Sequence, residues 1–247
     1  MSIQAYDADM VEAPGAETLA AGAVANLWAS FGSVWPLWSA LTLAYAIAAA
    51  AAEGLTGLAQ APALIGADLA AALVSGIAIR VLLGRGPAAW KPDAGLAAFT
   101  GLVGLVAVGP TALLLLAQPP AHAGSQAELS AYTTQAGGAA VVALAILWAA
   151  LRITPWPIGR LVGNALMTPG RSWRLMRGVV LRYAMAAILL GAPVAVLAVM
   201  VAMLTKPQGH LIGQLAVTPL TSLMALLAAA VAVEVYRSRI VVAPEAE

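Results

Sequence analysis

The chain of 247 residues has no cysteine, two histidines and only 9% charged residues. Without cysteine there is no disulfide, no thiolate metal ligand and no thiol nucleophile. No histidine pair has H-E-x-x-H spacing, and there is no G-x-S-x-G elbow or P-loop. Soluble domains carry roughly 25% charged residues, which a chain with so few cannot match on a wetted surface. A formal net charge of +1 supplies no global field for nucleic acid. Lysine and arginine are absent from the first 34 residues, which hold Asp7, Asp9, Glu12 and Glu17. That is the reverse of the basic start of a cleaved export signal, so the N-terminus is expected to be retained.

What is present is overwhelmingly apolar: 62% of residues are hydrophobic and the mean hydropathy is +0.91. Crossing a bilayer takes about 20 apolar residues in a helix, because irregular backbone facing lipid leaves amides unsatisfied. Six stretches qualify, near Trp35 to Ala52, Pro62 to Leu83, Leu96 to Ala117, Gly137 to Ile153, Val179 to Leu204 and Leu211 to Tyr236. The fold expected is an all-α integral membrane protein with six transmembrane helices. Residues 1–14 are expected to form an acidic, disordered N-terminus, 15–240 a single six-helix membrane domain and 241–247 a C-terminal tail.

Basic residues give the direction of the spans, since loops carrying them are retained in the cytoplasm. With six spans, eleven of the twelve lysines and arginines fall on one side and Lys206 alone falls on the other. All seven tryptophans lie at or near the same ends, as expected of rings that prefer the interface. The expected location is the bacterial inner (cytoplasmic) membrane, with N- and C-termini in the cytoplasm.

The stretch "LMTPGRSWRLMRG", Leu166 to Gly178, concentrates charge in an otherwise apolar chain. Thr168 and Pro169 make a good helix start. At 100° per residue Arg171, Arg174, Arg177 and Arg182 share one arc, with Trp173, Met176 and Val179 opposite. This predicts a cytoplasmic interfacial helix before span 5, its arginines and Trp173 toward anionic lipid headgroups, with a bend at Gly178. The same arginines also serve to hold the loop inside. A second interfacial helix is expected before span 1, where Leu27, Trp28, Phe31, Trp35 and Trp38 recur at helical spacing, with Pro36 at the junction. With Trp90 before span 3, this suggests three units, each an aromatic segment followed by a helical hairpin.

The residues Ser172, Trp173, Leu175, Arg177 and Gly178 resemble the S-W-x-L-x-R-G pattern of poorly characterised bacterial six-span inner-membrane proteins. That set is related to the membrane domain of glycerophosphodiester phosphodiesterases. "FGSVWPLW" and "LLGRGPAAW" look similar too. The resemblance implies the six-span layout and a membrane location. It implies no enzyme activity, because the soluble phosphodiesterase domain and its acidic metal cluster are absent.

Ionisable groups near hydrocarbon call for partners or a purpose. Asp68, about two turns into span 2, is a proton or cation group or an acceptor for neighbouring helices. "IGAD", Ile65 to Asp68, lacks the second glycine of a G-x-G-D protease motif. Glu234 precedes Arg237 by three residues, which suits a helical ion pair. Pro110, Pro193 and Pro219 interrupt the hydrogen bonding of spans 3, 5 and 6, and Gly101, Gly104 and Gly109 permit close helix contact. The function expected first is a non-enzymatic protein that contacts anionic lipids, or an accessory or organising subunit with a protein partner or a second copy. The alternative is a small-solute transporter or permeability pathway built on Asp68 and the proline-bearing helices, favoured by a water-accessible cavity at Asp68. A lipid phosphodiester enzyme is a third reading. No catalytic residue, metal or cofactor is implied.

Overall fold

The computed structural model describes residues 14–55, 57–116, 126–164, 166–205 and 209–240. Most of the expected acidic N-terminus and all of the C-terminal tail therefore lie outside the described residues, as does Lys206. The helices are α1 (Ala16–Ala29), α2 (Phe31–Ala52), α3 (Ala61–Leu82), α4 (Ala94–Leu116), α5 (Gln126–Ile153), α6 (Pro155–Leu161), α7 (Pro169–Leu175), α8 (Val180–Thr205) and α9 (His210–Arg239). Single 3₁₀ turns occupy Gly57–Gln60 and Gly86–Trp90. Six of these helices, α2, α3, α4, α5, α8 and α9, are long and apolar enough to cross a membrane.

The hairpins α2/α3, α4/α5 and α8/α9 each follow a short helical segment, and α9 stands at the centre, packed on α1, α2, α3, α6 and α8. Small residues give α9 this place: Ala229, Ala230, Val231, Ala232 and Val233 are buried on every face. Lipid tails are as apolar as the helices, so association rests on close van der Waals contact and interhelical hydrogen bonds. At Gly104 a Cβ would come within 2.6 Å of Leu69 Cδ2, so the glycine lets α4 approach α3 as expected. Gly101 has open space in front of it and plays no such part.

The buried core lies in one half of the bundle. It takes the first turns of α2 (Val34, Leu37, Leu41), α4 (Leu96, Phe99) and α8 (Val180, Tyr183), and the last turns of α3 (Ala78, Ile79, Leu82) and α9 (Leu226 to Tyr236). The short segments α1, α6 and α7 close that end, which is where the basic residues gather.

Three boundaries differ from expectation. The junction between α1 and α2 is Ser30, and Pro36 lies inside α2. Pro36 is near the start of that helix, where its missing N–H deprives a single carbonyl of a donor. Helix α5 begins at Gln126, well ahead of the expected Gly137, so part of the presumed outer loop is helical. The third difference concerns the four arginines: α7 ends at Leu175, Gly178 takes φ +78° and α8 begins at Val180. Arg171 and Arg174 share a helix, whereas Arg177 sits in the turn and Arg182 in α8. An arc common to all four would need unbroken helix from 171 to 182, and the bend at Gly178, itself as expected, prevents it.

Candidate functional site

The basic end is knitted by arginines that donate to helix C-termini, where the last carbonyls lack partners within their own helix. Arg80, 3% exposed, donates from Nε and Nη2 to Leu161 O at the end of α6 (3.3 and 3.2 Å) and from Nη1 to Lys91 O (2.9 Å). Its Nη2 also meets Asp93 Oδ1 at 2.5 Å. Arg85 donates to Val162 O, Arg237 to Leu82 O at the end of α3 (2.6 Å), and Arg239 to Leu175 O at the end of α7 (3.1 Å). Asp93 accepts from Leu96 N–H (2.8 Å) at the start of α4. That backbone bond first, and the Arg80 guanidinium second, hold its carboxyl below the usual carboxylate range.

A second acid of this end is Glu234. It pairs with Arg237 at 3.2 Å as the spacing suggested, and it also accepts from Asn26 Nδ2 at 3.1 Å, which ties α1 to α9. Gly22 faces that carboxylate closely enough that a Cβ would lie 3.0 Å from Oε2.

The motif around Trp173 is built into the same end. Thr168 Oγ1 accepts from Arg171 N–H at 3.2 Å, the cap expected for α7. Ser172 is buried and donates to Arg152 O at 3.1 Å, while the Arg152 guanidinium lies over the Trp173 ring, 4.7 Å from its centroid. Arg171, Arg174 and Arg177 are exposed; Arg182 is half-buried and has an interaction partner. The expected headgroup set is thus three outward arginines, a tryptophan already engaged by Arg152, and an arginine committed elsewhere.

The opposite half is hollow. A cavity of about 700 Å³ lies among α2, α3, α4, α8 and α9, with Gly54, Leu55, Gln60 and Gly209 at the end away from the arginines. Its walls are mostly small residues, and its polar groups are Tyr45, Asp68, Thr111, Gln214, Thr218 and Thr221. Asp68 Oδ2 accepts from Thr111 Oγ1 at 2.8 Å, so it does receive a hydrogen bond from a neighbouring helix while also lining open space.

Where the cavity meets the packed half, a polar seam joins α2 to α9. Pro219 lacks the N–H that would serve Leu215 O, and Thr218 Oγ1 donates to that carbonyl at 2.9 Å. Trp38 Nε1 donates to Pro219 O (3.0 Å), and Ser222, fully buried, shares a 2.6 Å hydrogen bond with Thr42. Pro193 lies within α8, and α4 continues through position 110, the Pro110 side chain lying outside the described residues.

Comparison of the chain with protein-family models, with curated proteins and with solved structures finds no match. In this structure Ser172, Trp173, Leu175 and Gly178 each have an architectural task.

Proposed function

We propose that the protein is a non-enzymatic carrier of the membrane that takes a small cationic solute into the Asp68 cavity. The observation that carries this is the position of a carboxylate on the wall of a large cavity between helices long enough to span a membrane. An acid at that depth is favoured when a cation or proton shares the site, and about 700 Å³ lies within the 300–1,000 Å³ usual for small-molecule sites. Thr111 supplies a neutral hydrogen bond and no counter-charge, so the carboxylate keeps an unmet demand for a cation. The close-packed half below the seam would be the closed side of such a carrier. With the basic end in the cytoplasm, as the distribution of lysine and arginine favours, the cavity opens outward.

Because the chain has no cysteine, single thiols can be added without removing any. Thr221→Cys, on the cavity wall, should react with a membrane-impermeant maleimide added outside the cell, whereas Ala230→Cys, fully buried in the packed half, should not. In proteoliposomes Asp68→Asn should lower methylammonium uptake about tenfold or more, equivalent to roughly 1.4 kcal/mol of lost interaction. Protection of Thr221→Cys from both faces, or uptake indifferent to Asp68→Asn, would overturn the assignment.

A further inference from the structure

A second hollow lies at the basic end and is independent of the Asp68 cavity. It measures about 240 Å³ and is bordered by Arg80, Arg85, Lys91 and Arg160, with Asp93 the one carboxylate facing it. Arg80 is spent on carbonyls and on Asp93, as described above. Arg85 has one donor engaged, at Val162 O. Lys91 and Arg160 are exposed, and neither side chain has an ion-pair or hydrogen-bond partner among the described residues. Positive charge therefore exceeds negative, and the excess is free to meet an anion.

This basic pocket does not end in water on every side. It shares Gly95 and Arg160 with an apolar groove of about 410 Å³, formed by Ala98 and Leu102 of α4 against Trp156 and Pro157 of α6. Ala94, Ala98 and Leu102 recur every four residues along one face of α4, and the alanines leave that face shallow. The buried indole N–H of Trp156 has no acceptor among the described residues. The exposed Trp90 ring stands in the adjoining 3₁₀ turn, the type of side chain enriched where a bilayer meets water. A free phosphate would account for the cations and leave the groove unexplained, whereas a phospholipid accounts for both.

We propose that Arg85, Lys91 and Arg160 hold the phosphate of one anionic glycerophospholipid, with an acyl chain lying along Ala98 and Leu102 against Trp156 and Pro157. The expected lipid surface thereby moves from Arg171, Arg174 and Arg177, which front no such groove, to residues on the other side of α6.

Native mass spectrometry of the full chain released from nanodiscs of equal palmitoyl-oleoyl phosphatidylglycerol and phosphatidylcholine tests this. The wild type should retain phosphatidylglycerol with about tenfold preference, because two or three cations favour a headgroup of net negative charge over one whose phosphate is offset by a quaternary ammonium. Lys91→Gln with Arg160→Gln should bring the preference near unity, and Ala98→Trp should lower retention of both lipids by filling the groove. Arg171→Gln with Arg174→Gln and Arg177→Gln should leave the preference intact. Equal retention of the two lipids by the wild type overturns the proposal, and this outcome does not depend on any variant folding. So does loss of the preference in the Arg171 set alone, or displacement of the lipid by millimolar inorganic phosphate, which would mark a free-anion site.

Discussion

The two halves of this bundle solve the same problem in opposite ways. At the basic end α2, α3, α4, α8 and α9 each contribute buried turns, and arginines close the gaps by donating to the carbonyls at the ends of α3, α6 and α7. At the other end the same helices part around a cavity of about 700 Å³ and an acid. Lipid offers little force to draw helices together, so the packed half is held by close side-chain contact and arginine-to-carbonyl ties, while in the open half the small side chains leave space between the helices. Rigidity and accessibility are in this way assigned to opposite ends of the same helices.

The comparison breaks most directly at Arg80. Arg80→Gln leaves Leu161 O, Lys91 O and the Asp93 carboxylate short of their partner, and each buried polar group left unsatisfied costs about 1–3 kcal/mol. The variant should lose most of its monodisperse yield in mild detergent, whereas Asp68→Asn should keep its own. An equal loss in both would show that the ends do not differ.

Added bulk sharpens the same contrast. At Gly159 a new Cβ would meet Met167 Cβ at 2.6 Å, and Met167 is 1% exposed, so Gly159→Ala should lower stability by about 1–3 kcal/mol. Ala49→Leu extends into the Asp68 cavity, where the change should stay within about 0.5 kcal/mol while methylammonium uptake falls. Thermal unfolding of the two variants side by side reads the difference.

Acid weakens the basic end through Asp93. The folded Asp93 carboxyl is held below its ordinary value, so its contribution is complete above that value and disappears as pH falls through the depressed one. Asp93→Asn should therefore narrow the gap in melting temperature from the wild type as pH is lowered below about 4, the ordinary aspartate value, toward the depressed one. A gap that widens on acidification would reverse the assignment.

Features that depend on local chemistry were legible in the chain. The six apolar helices, the Thr168 cap, the bend at Gly178, the Glu234 and Arg237 pair and the depth of Asp68 each follow from residues close in sequence. What was not legible is what distant segments do to one another. Nothing near Arg80 in sequence announces Leu161 O, 81 residues away, and nothing near Trp38 announces Pro219 O, 181 residues away. The Asp68 cavity is likewise a property of five helices at once. Charge patterning misled at α7 for a related reason: an arc drawn at 100° per residue assumes that the helix persists, and Gly178 ends that assumption.

The smallest expected effect follows from that error. Arg171, Arg174 and Arg177 are exposed and do not line the groove proposed for a phospholipid. Their joint replacement by glutamine should change stability by no more than about 0.5 kcal/mol. Arg80, Arg85, Arg237 and Arg239, by contrast, lie at the same end of the bundle yet are tied to backbone carbonyls. Loss of the exposed set should instead weaken the bias that retains this loop, since retention counts lysines and arginines regardless of what they touch. On the proposed orientation, with the basic end in the cytoplasm, a thiol introduced at Ser238 should still be shielded from outside reagents, because Arg80, Arg85, Arg237 and Arg239 remain to favour that side. If it becomes reactive, orientation rests on the exposed arginines, and the division of labour between anchoring and architectural arginines fails.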